Sequence, residues 1–529
     1  MQSVPIRRAI LFFVIAMVFQ IETLLVAPRE DSAAWLFMGQ RQSHGQMPGR
    51  DLWDNKLPLI YLIGRAAMAI GRPQAFLWLL EAGVTAIGAL AVCAIVRTAS
   101  CSATLRGGAD RDWAAACAGA LFCVVSGSPS FHGGGFLTEI YATTLSAVAV
   151  YLSCRGIRQS GRVLTPIVAG LFWALAVSFR LPLGLASVVV VGSLAAVGRS
   201  ATQTGNDGLV GVRPGRYVGL HLGGALIGGL LVLVHPMAAG YVADCFRAAV
   251  LWPLGAVAGR GPAPMTAPTL ERLADFAQDI AKLGWLHIAS VGGLVLSFRR
   301  GSRTLAMVVA TWYAAALGSA ALGWASYAHY QYVAFAPMAV AIALLLVGLE
   351  ARASRRTAAV LVGVTAIVVG VQNVRGFTRA RPGGDEVHRA AVVAFVEAHT
   401  APTDSVLIWA WGRSADLLYR IDRSPGVRHF LAHAYLIMDV SLFDEMVDEF
   451  LTRPPAWIVE DSLRNKPPLT AAAEANWSWT SPALQRLQSF ARAHYTQEAR
   501  IGQYLVLRFD GASPTGTGLP HNNSVEPSS

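Results

Sequence analysis

The apolar run at residues 9–27 reads AILFFVIAMVFQIETLLVA and is followed almost at once by the acidic pair Glu30-Asp31. A helix of this length crosses the roughly 30 Å hydrocarbon core of a bilayer. Arg7 and Arg8 precede the run, but no small-x-small cleavage pattern follows it. We therefore interpret it as a retained first span and not as a signal peptide.

The composition of the whole chain points the same way. Of 529 residues, 54% are hydrophobic and 14% are charged, and the mean hydropathy is +0.46. This balance is typical of a polytopic membrane protein. The net charge of +11 alone would fit a nucleic-acid-binding protein, but the basic residues form short clusters between apolar runs. We expect no nucleic-acid partner.

About eleven apolar runs are long enough to predict membrane spans. They lie at residues 9–27, 74–96, 113–127, 137–153, 163–179, 182–198, 217–236, 285–298, 304–323, 331–349 and 357–374. The run 57–71 is shorter and contains Arg65, so we interpret it as an interfacial or re-entrant helix. With a cytoplasmic N-terminus, every inner loop is then rich in arginine, as the positive-inside rule requires. The pattern predicts a multi-pass protein of the plasma (inner) membrane.

After the last span the composition becomes that of a soluble domain. Alternation and helical periodicity predict helices at 385–399, 413–421, near 440–452 and near 482–494, with strands at 405–411, 456–460 and 503–509. We therefore expect a transmembrane domain at 1–375 with an external loop at 28–73, followed by a small extracytoplasmic α/β domain at 376–510. Residues 511–529 are rich in Gly, Pro, Ser and Asn and predict a disordered tail.

Four charged residues lie near the outer ends of predicted spans, where charge in lipid is costly: Glu22, Glu81, Glu139 and Arg180. Snorkelling to the interface would explain any one of them. Four on one side predict an outward-facing polar cavity. The external loop adds acids, a lysine and two tryptophans, a mixture suited to binding a sugar and a phosphate.

The order of motifs along the chain resembles the GT-C superfamily of polyprenyl-phosphate-sugar glycosyltransferases, especially protein O-mannosyltransferases and bacterial lipopolysaccharide sugar transferases. The matching motifs are the acidic pair Glu30-Asp31, Gly-x-x-Pro at 45–48, Asp-x-x-Asp-x-Lys-x-Pro at 51–58, Thr138-Glu139, Phe179-Arg180-Leu181-Pro182 and His329-Tyr330-Gln331-Tyr332. The acidic pair reads Glu-Asp where the family more usually has Asp-Glu, which leaves open which carboxylate is catalytic.

The resemblance implies a GT-C-like polytopic enzyme that moves a sugar, with inversion, from a polyprenyl-phosphate donor to an extracytoplasmic acceptor. That acceptor would be a cell-envelope glycan, a lipopolysaccharide or a protein, and membrane lipid would surround the spans. Transfer needs a base for the acceptor hydroxyl and positive charge for the departing phosphate. Asp31 is the expected base, with Glu30 as its neighbour or substitute. The expected substrate-binding residues are Asp51, Asp54, Lys56, Glu139, Arg180, His329 and Tyr330.

Two points stay open from the sequence. No cofactor is implied, and a divalent metal is undecided, because no His/Cys spacing of the kind found in structural metal sites is present. The alternative functions are a membrane transporter or lipid-linked sugar flippase, and a non-catalytic assembly subunit. A transporter would more naturally show broken helices and repeated halves, and we find neither pattern in the sequence.

Overall fold

The chain is mostly helical and divides into two compact units. The computed structural model describes residues 6–28, 30–99, 108–132, 135–158, 163–204, 213–257, 269–300, 303–321, 328–349, 351–379, 384–410, 414–431, 440–462, 469 and 481–511. The helical unit consists of Met1–Ala27, Arg72–Ala238 and Ala267–Arg379. The sheet unit consists of Pro28–Gly71, Ala239–Thr266 and Ala380–Ser529.

The helices are numbered in chain order through both units. They are α1 (Ile6–Phe19), α2 (Glu22–Leu25), α3 (Glu30–Ser43), α4 (Leu59–Ile70), α5 (Pro73–Ala99), α6 (Gly108–Ser126), α7 (Pro129–His132), α8 (Thr138–Arg158), α9 (Leu164–Phe179), α10 (Leu183–Thr204), α11 (Pro214–Ala238), α12 (Val242–Phe246), α13 (Trp252–Val257), α14 (Thr269–Ala281), α15 (Gly284–Arg299), α16 (Arg303–Ala321), α17 (Phe335–Gly348), α18 (Ala351–Arg379), α19 (Gly384–His399), α20 (Ser414–Ile421), α21 (Val440–Thr452) and α22 (Pro482–His494). A π-helical turn (Arg247–Leu251) joins α12 to α13, and a 3-10 helix (Ala328–Ala334) leads into α17.

Nine of the eleven predicted runs each coincide with one helix of the helical unit, apart from shifts at their ends and residues 322–323, which lie outside the described part of the chain. Run 9–27 is divided between α1 and α2, and run 331–349 between the 3-10 helix and α17. By length and composition, six helices in the described part of the chain can cross a membrane alone. A seventh span results if α14 and α15, which meet at a bend of 84°, are taken together. The chain therefore has the polytopic α-helical fold that its hydropathy predicts, while the number eleven stays a prediction.

Burial separates the central helix of the helical unit from its peripheral ones. In the segment Ala328–Gly348, 89% of the apolar window is buried within the protein, whereas the corresponding shares are 28% for α11 and 22% for α18. A helix that is apolar all round is stable only in a core or in lipid. α17 fills the core, and the large exposed side chains of α11 and α18, such as Leu226 and Ile367, are suited to contact lipid.

The sheet unit is built on four strands, β1 (Val406–Trp409), β2 (Trp457–Asp461), β3 (Tyr495–Ile501) and β4 (Tyr504–Phe509). Their order is β1-β2-β4-β3. β1 and β2 pair in parallel, and the other neighbours pair antiparallel. The predicted helices and strands of this region are confirmed apart from shifts at their ends, but β3 was not predicted. It begins at the residue after α22 ends, and its sequence YTQEARI carries a polar majority that hides the alternation.

The sheet unit draws its residues from three parts of the sequence. The described residues of 28–71 and 239–257 belong to it together with the C-terminal residues, and the domain bounds 1–375 and 376–510 stay a prediction. Its hydrophobic core accordingly contains Trp53 and Ala248 beside strand and helix residues such as Trp409, Phe450 and Ile458. Most of the predicted tail, residues 512–529, lies outside the described residues.

Candidate active site

The predicted base lies at the start of α3 in the sheet unit. Asp31 is the second residue of this helix and is exposed, whereas Ala33 to Met38 are buried. The buried stretch anchors the helix and leaves the carboxylate accessible. A helix N-terminus also favours negative charge, by about 0.3–1 kcal/mol at an exposed site. Glu30 is the first residue of α3, but its side chain lies outside the described part of the structure.

Asp54 is held in a small polar cluster of the same unit. Its Oδ2 accepts a hydrogen bond from the Tyr61 hydroxyl at 2.9 Å, and its Oδ1 accepts one from the backbone N–H of Asn55 at 2.6 Å. The Lys56 ammonium donates to the side-chain oxygen of Asn55 at 2.8 Å. Asp54 and Lys56, both predicted to bind substrate, are thus neighbours on one rigid turn.

The electrostatics of this cluster single out Asp54. Burial raises its pKa above the ordinary value, although Lys56 and the hydrogen bond from Tyr61 oppose the rise. The charge of Asp31 adds to it. The structure therefore brings Asp31 and Asp54 within electrostatic reach of one another, and it holds the second carboxyl closer to its neutral form.

Asp51 stabilises the loop in which it lies. Its Oδ2 accepts from the backbone N–H of Met47 at 2.7 Å and from Nη2 of Arg50 at 2.8 Å. Burial would raise the pKa of Asp51, but these hydrogen bonds outweigh it and lower the pKa. Its predicted role in substrate binding stays a prediction, since its observed contacts shape the turn.

The loop is fixed to the C-terminal part of the sheet unit through Trp53. The backbone N–H of Trp53 donates to the carbonyl oxygen of Arg428 at 2.9 Å. The Arg428 guanidinium lies 5.2 Å from the Trp53 ring, and the His429 ring lies 5.4 Å from it. Arg428 and His429 were not predicted, because no local pattern shows that they contact a segment so distant in the chain.

The predicted residues of the helical unit converge on a buried ion pair. Nη1 of Arg180, at the C-terminal end of α9, donates to Oε1 of Glu139 in the first turn of α8 at 2.6 Å. Oε2 of Glu139 accepts from the Thr138 hydroxyl at 3.0 Å. Nη2 of Arg180 donates to the carbonyl oxygen of Ser319 at 3.3 Å. Arg180 is therefore held rigidly between three helices.

The aromatic motif completes this group. The Arg180 guanidinium lies 4.0 Å from the centre of the Tyr330 ring, a favourable cation–π distance. The His329 ring meets the Tyr330 ring edge-on at 4.7 Å. Glu139, Arg180, Tyr330 and His329 are thus brought together from three separate parts of the sequence. Their role in binding substrate stays a prediction.

All four charged residues singled out from the spans are buried in the helical unit. Their exposed fractions are 2% for Glu22, 0% for Glu81, 2% for Glu139 and 7% for Arg180. Snorkelling to the interface therefore does not explain them. Of the described residues, no three of His, Cys, Asp and Glu come together as ligands for a metal ion.

The fold is shared with solved structures over nearly the whole chain. ArnT from Cupriavidus metallidurans in the apo state aligns with a TM-score of 0.54 at 14% identity, over 96% of this chain and 98% of ArnT. The apo Archaeoglobus fulgidus oligosaccharyltransferase aligns with a TM-score of 0.54 at 12% identity, over 97% of this chain and 75% of its own. The chain has the GT-C fold.

Further GT-C structures extend the comparison. The arabinofuranosyltransferase AftD from Mycobacteria aligns with a TM-score of 0.51 at 11% identity, over 96% of this chain and 40% of AftD. ArnT has also been solved bound to undecaprenyl phosphate, and the archaeal enzyme AglB with an inhibitory peptide and a dolichol-phosphate, or with Zn and sulfate. No protein family and no curated protein matches the sequence.

The predicted site residues of this GT-C chain thus fall into two groups. Asp31, Asp51, Asp54 and Lys56 belong to the sheet unit, and Glu139, Arg180, His329 and Tyr330 belong to the helical unit. Tyr61, which binds Asp54, and Ser319, which binds Arg180, were not predicted. The Arg180–Ser319 contact forms only when distant segments pack, and the Tyr61–Asp54 contact depends on the conformation of the local turn, so neither has a signature in the sequence.

Proposed function

We propose that this chain is an integral membrane glycosyltransferase that moves a sugar from a polyprenyl-phosphate donor to an acceptor outside the cytoplasm, with inversion at the sugar carbon. The GT-C fold supports the proposal, because ArnT binds undecaprenyl phosphate and AglB binds a dolichol-phosphate in the same fold. The observation that carries it is the exposed carboxylate of Asp31 at the start of α3, directly after the first long apolar helix.

The reaction requires an in-line displacement at the anomeric carbon. The carboxylate of Asp31 takes the proton of the acceptor hydroxyl while the hydroxyl oxygen forms a bond to that carbon. The bond from the carbon to the phosphate oxygen breaks on the opposite face, and its electron pair leaves with the polyprenyl phosphate. Attack and departure on opposite faces give inversion, and Asp31 afterwards releases its proton to water.

Positive charge must meet the phosphate as its negative charge develops. Arg180 suits this role because Glu139 and the Ser319 carbonyl already orient it, so little reorganisation is needed. Its Nε is buried and has no hydrogen-bond partner in the described part of the chain, so we propose it as a donor to a phosphate oxygen. His329, next to the Arg180–Tyr330 stack, is a further residue proposed to bind the phosphate. The role of Lys56, in the sheet unit, stays a prediction from the sequence.

The remaining residues are proposed to position groups. Glu139 is proposed to orient Arg180, a role that their hydrogen bond supports, and its predicted contact with the sugar stays a prediction. Asp54, which Tyr61 and the backbone of Asn55 hold in place, is proposed to accept a hydrogen bond from a sugar hydroxyl. Tyr330 stacks on Arg180 and shields it from water.

A transfer assay with purified protein in detergent tests the proposal. The probe is a set of synthetic polyprenyl-phosphate sugars with a radiolabel in the sugar, and the acceptor is an envelope extract from cells that lack the chain. No gradient exists across a detergent micelle, so transport cannot produce the signal. We expect label to move to the extract, and we expect Asp31→Asn to reduce turnover by at least about 10²-fold.

The controls locate the base. Asp448→Asn neutralises another exposed carboxylate of the sheet unit, which forms an ion pair with Arg486, and should keep parental turnover. Glu30→Gln separates the two acidic neighbours. Loss of turnover in Glu30→Gln with normal turnover in Asp31→Asn would exchange their roles, and normal turnover in both would contradict the mechanism. The absence of any transfer, with envelope glycans of unchanged mass in cells lacking the chain, would contradict the enzyme itself.

A further inference from the structure

Glu81 is a buried carboxylate of the helical unit that the proposed reaction does not use. It lies in α5 with none of its surface exposed. Its Oε2 accepts a hydrogen bond from the Thr23 hydroxyl at 3.0 Å, and its Oε1 accepts a short one from the backbone N–H of Phe136. A carboxylate in an apolar helix is costly and is retained only with strong partners, so these contacts require an explanation.

The segment that Glu81 holds is a strained turn. Gly135 has φ +86° and Phe136 has φ +53°, and the second value is unfavourable for a residue with a side chain. A Cβ added at Gly135 would lie 2.1 Å from the Thr23 hydroxyl oxygen, so the turn packs tightly on the residue that also binds Glu81. Both sides of the turn are therefore fixed by Thr23 and Glu81.

The turn leads directly into the ion pair. α8 begins at Thr138, two residues after Phe136, and its next residue is Glu139, which binds Arg180. The direction in which the chain enters α8 decides where the Glu139 carboxylate lies in the first turn. Glu139 in turn sets the position of Arg180 over the Tyr330 ring. A series of direct contacts thus runs from Thr23 and Glu81 to Arg180.

We infer that Glu81 is a positioning residue for the phosphate-binding arginine: it holds the Gly135–Phe136 turn and thereby sets the Glu139–Arg180 pair. This inference rests on the proposed function. Glu81 touches neither sugar nor phosphate in this role. Its two oxygens matter because each accepts a hydrogen bond, one from Thr23 and one from the backbone of Phe136, and the turn that they hold is strained.

The test combines kinetics with amide exchange in the full-length protein. Glu81→Gln keeps the size of the side chain and removes its charge, and Thr23→Val removes one of its donors. Thr365→Val is the matched control, because Thr365 is a buried threonine of α18 whose hydroxyl binds the Leu361 carbonyl at 2.6 Å, away from the turn. Turnover of a synthetic polyprenyl-phosphate sugar is measured beside hydrogen–deuterium exchange of peptides covering 135–141.

Glu81→Gln should lower kcat about tenfold with little change in KM for the donor, because a displaced Arg180 stabilises the leaving phosphate less. Combined with Glu139→Gln it should cost no more than the larger single loss, since both changes displace one arginine. Amides after Phe136 should exchange faster in Glu81→Gln and Thr23→Val, but not in Thr365→Val. A purely structural role would lower stability without this kinetic signature.

Three results would overturn the inference: parental kcat in Glu81→Gln, additive losses with Glu139→Gln, or unchanged exchange across 135–141. If Glu81→Gln does not fold, Thr23→Val carries the same three measurements. An unmodified protein that transfers no sugar would instead overturn the proposed function, and exchange in the two variants would still decide whether Glu81 holds the turn.

Discussion

Arg180 and Glu139, which are 41 residues apart in the chain, form a buried ion pair in which Nη1 donates to Oε1 over 2.6 Å. Both side chains are almost fully removed from solvent. The cost of removing these two charges from water is offset only while the two side chains remain paired. The pair therefore links stability and the proposed phosphate chemistry in one contact, and the two effects can be separated by substitution.

Removal of one partner should destabilise the protein far more than removal of both. Arg180→Met leaves the Glu139 carboxylate buried without its cation and should cost about 3–5 kcal/mol. Arg180→Met combined with Glu139→Gln should recover much of this stability but none of the sugar transfer. Thermal unfolding in detergent measures the stability of each variant. Arg486→Met, which breaks an exposed pair with Asp448, is the control and should change stability by less than about 1 kcal/mol. Equal stability of Arg180→Met and the parent would contradict this account.

The raised pKa of Asp54 predicts a pH dependence of stability. Because burial raises the pKa, the native state holds the proton to higher pH than the unfolded chain does. The contribution of Asp54 to the free energy of unfolding is fully present below the pKa of the group in the unfolded chain. It is lost as pH rises through the pKa of the group in the folded protein. Unfolding temperatures of the parent should therefore fall relative to Asp54→Asn as pH rises from about 4 towards neutrality. Tyr61→Phe removes a hydrogen bond to the ionised carboxylate and should make the unfolding temperature fall more steeply with pH. If the unfolding temperatures of the parent and Asp54→Asn change with pH in the same way, Asp54 does not contribute to the pH dependence of stability.

The crossing of α3 and α4 leaves no room for a methyl group. A Cβ on Gly64 would lie 2.6 Å from the carbonyl oxygen of Trp35, and one on Gly39 would lie 2.4 Å from the backbone nitrogen of Arg65. Backbone atoms cannot yield as a side chain can. Gly64→Ala and Gly39→Ala should each destabilise the protein by about 1–3 kcal/mol. Gly255→Ala in α13 is the control and should be tolerated, because a Cβ there meets nothing within 4 Å. Equal unfolding temperatures for all three variants would contradict the close packing of α3 on α4.

The orientation in the membrane is predicted from the arginine clusters. Cysteines introduced singly at Ser43 and Ser462, both in the sheet unit, should react with a membrane-impermeant thiol reagent in cells whose outer envelope admits it. A cysteine at Ser302, which lies outside the described residues, should not react. The reverse pattern would invert the topology. The parent supplies the background, since its described cysteines are buried or half-buried.

Hydropathy was sufficient to predict the helical unit, because an apolar run of span length has one stable form in lipid. The same reasoning predicted Glu139, Arg180 and Tyr330 on the outer side of the membrane, and the structure brings these three residues into contact. It did not show that Glu139 binds Arg180, since a carboxylate that binds a sugar and one that binds an arginine have the same signature in a sequence.

The sheet unit was harder to predict because its contacts are non-local. β3 lacks a clear alternation and follows α22 without a loop. The docking of Trp53 on Arg428 and His429 depends on surfaces that exist only after folding. Asp51 resembled a substrate ligand because of its motif, and the observed hydrogen bonds to Met47 and Arg50 appear only in the folded turn.

The assembly of the sheet unit from three distant segments has a consequence for biosynthesis. Arg41 binds Asp422, which lies 381 residues further along the chain. At about 5–20 residues per second, the ribosome needs roughly 20–80 s to supply the second partner after the first. During that interval the surfaces of Phe37 and Trp53 that are buried in the folded protein have no C-terminal partner. The nascent chain is then expected to depend on chaperones or on slow release of the loop at 28–73. Chains that end before α19 are then expected to be degraded although every apolar helix has been made.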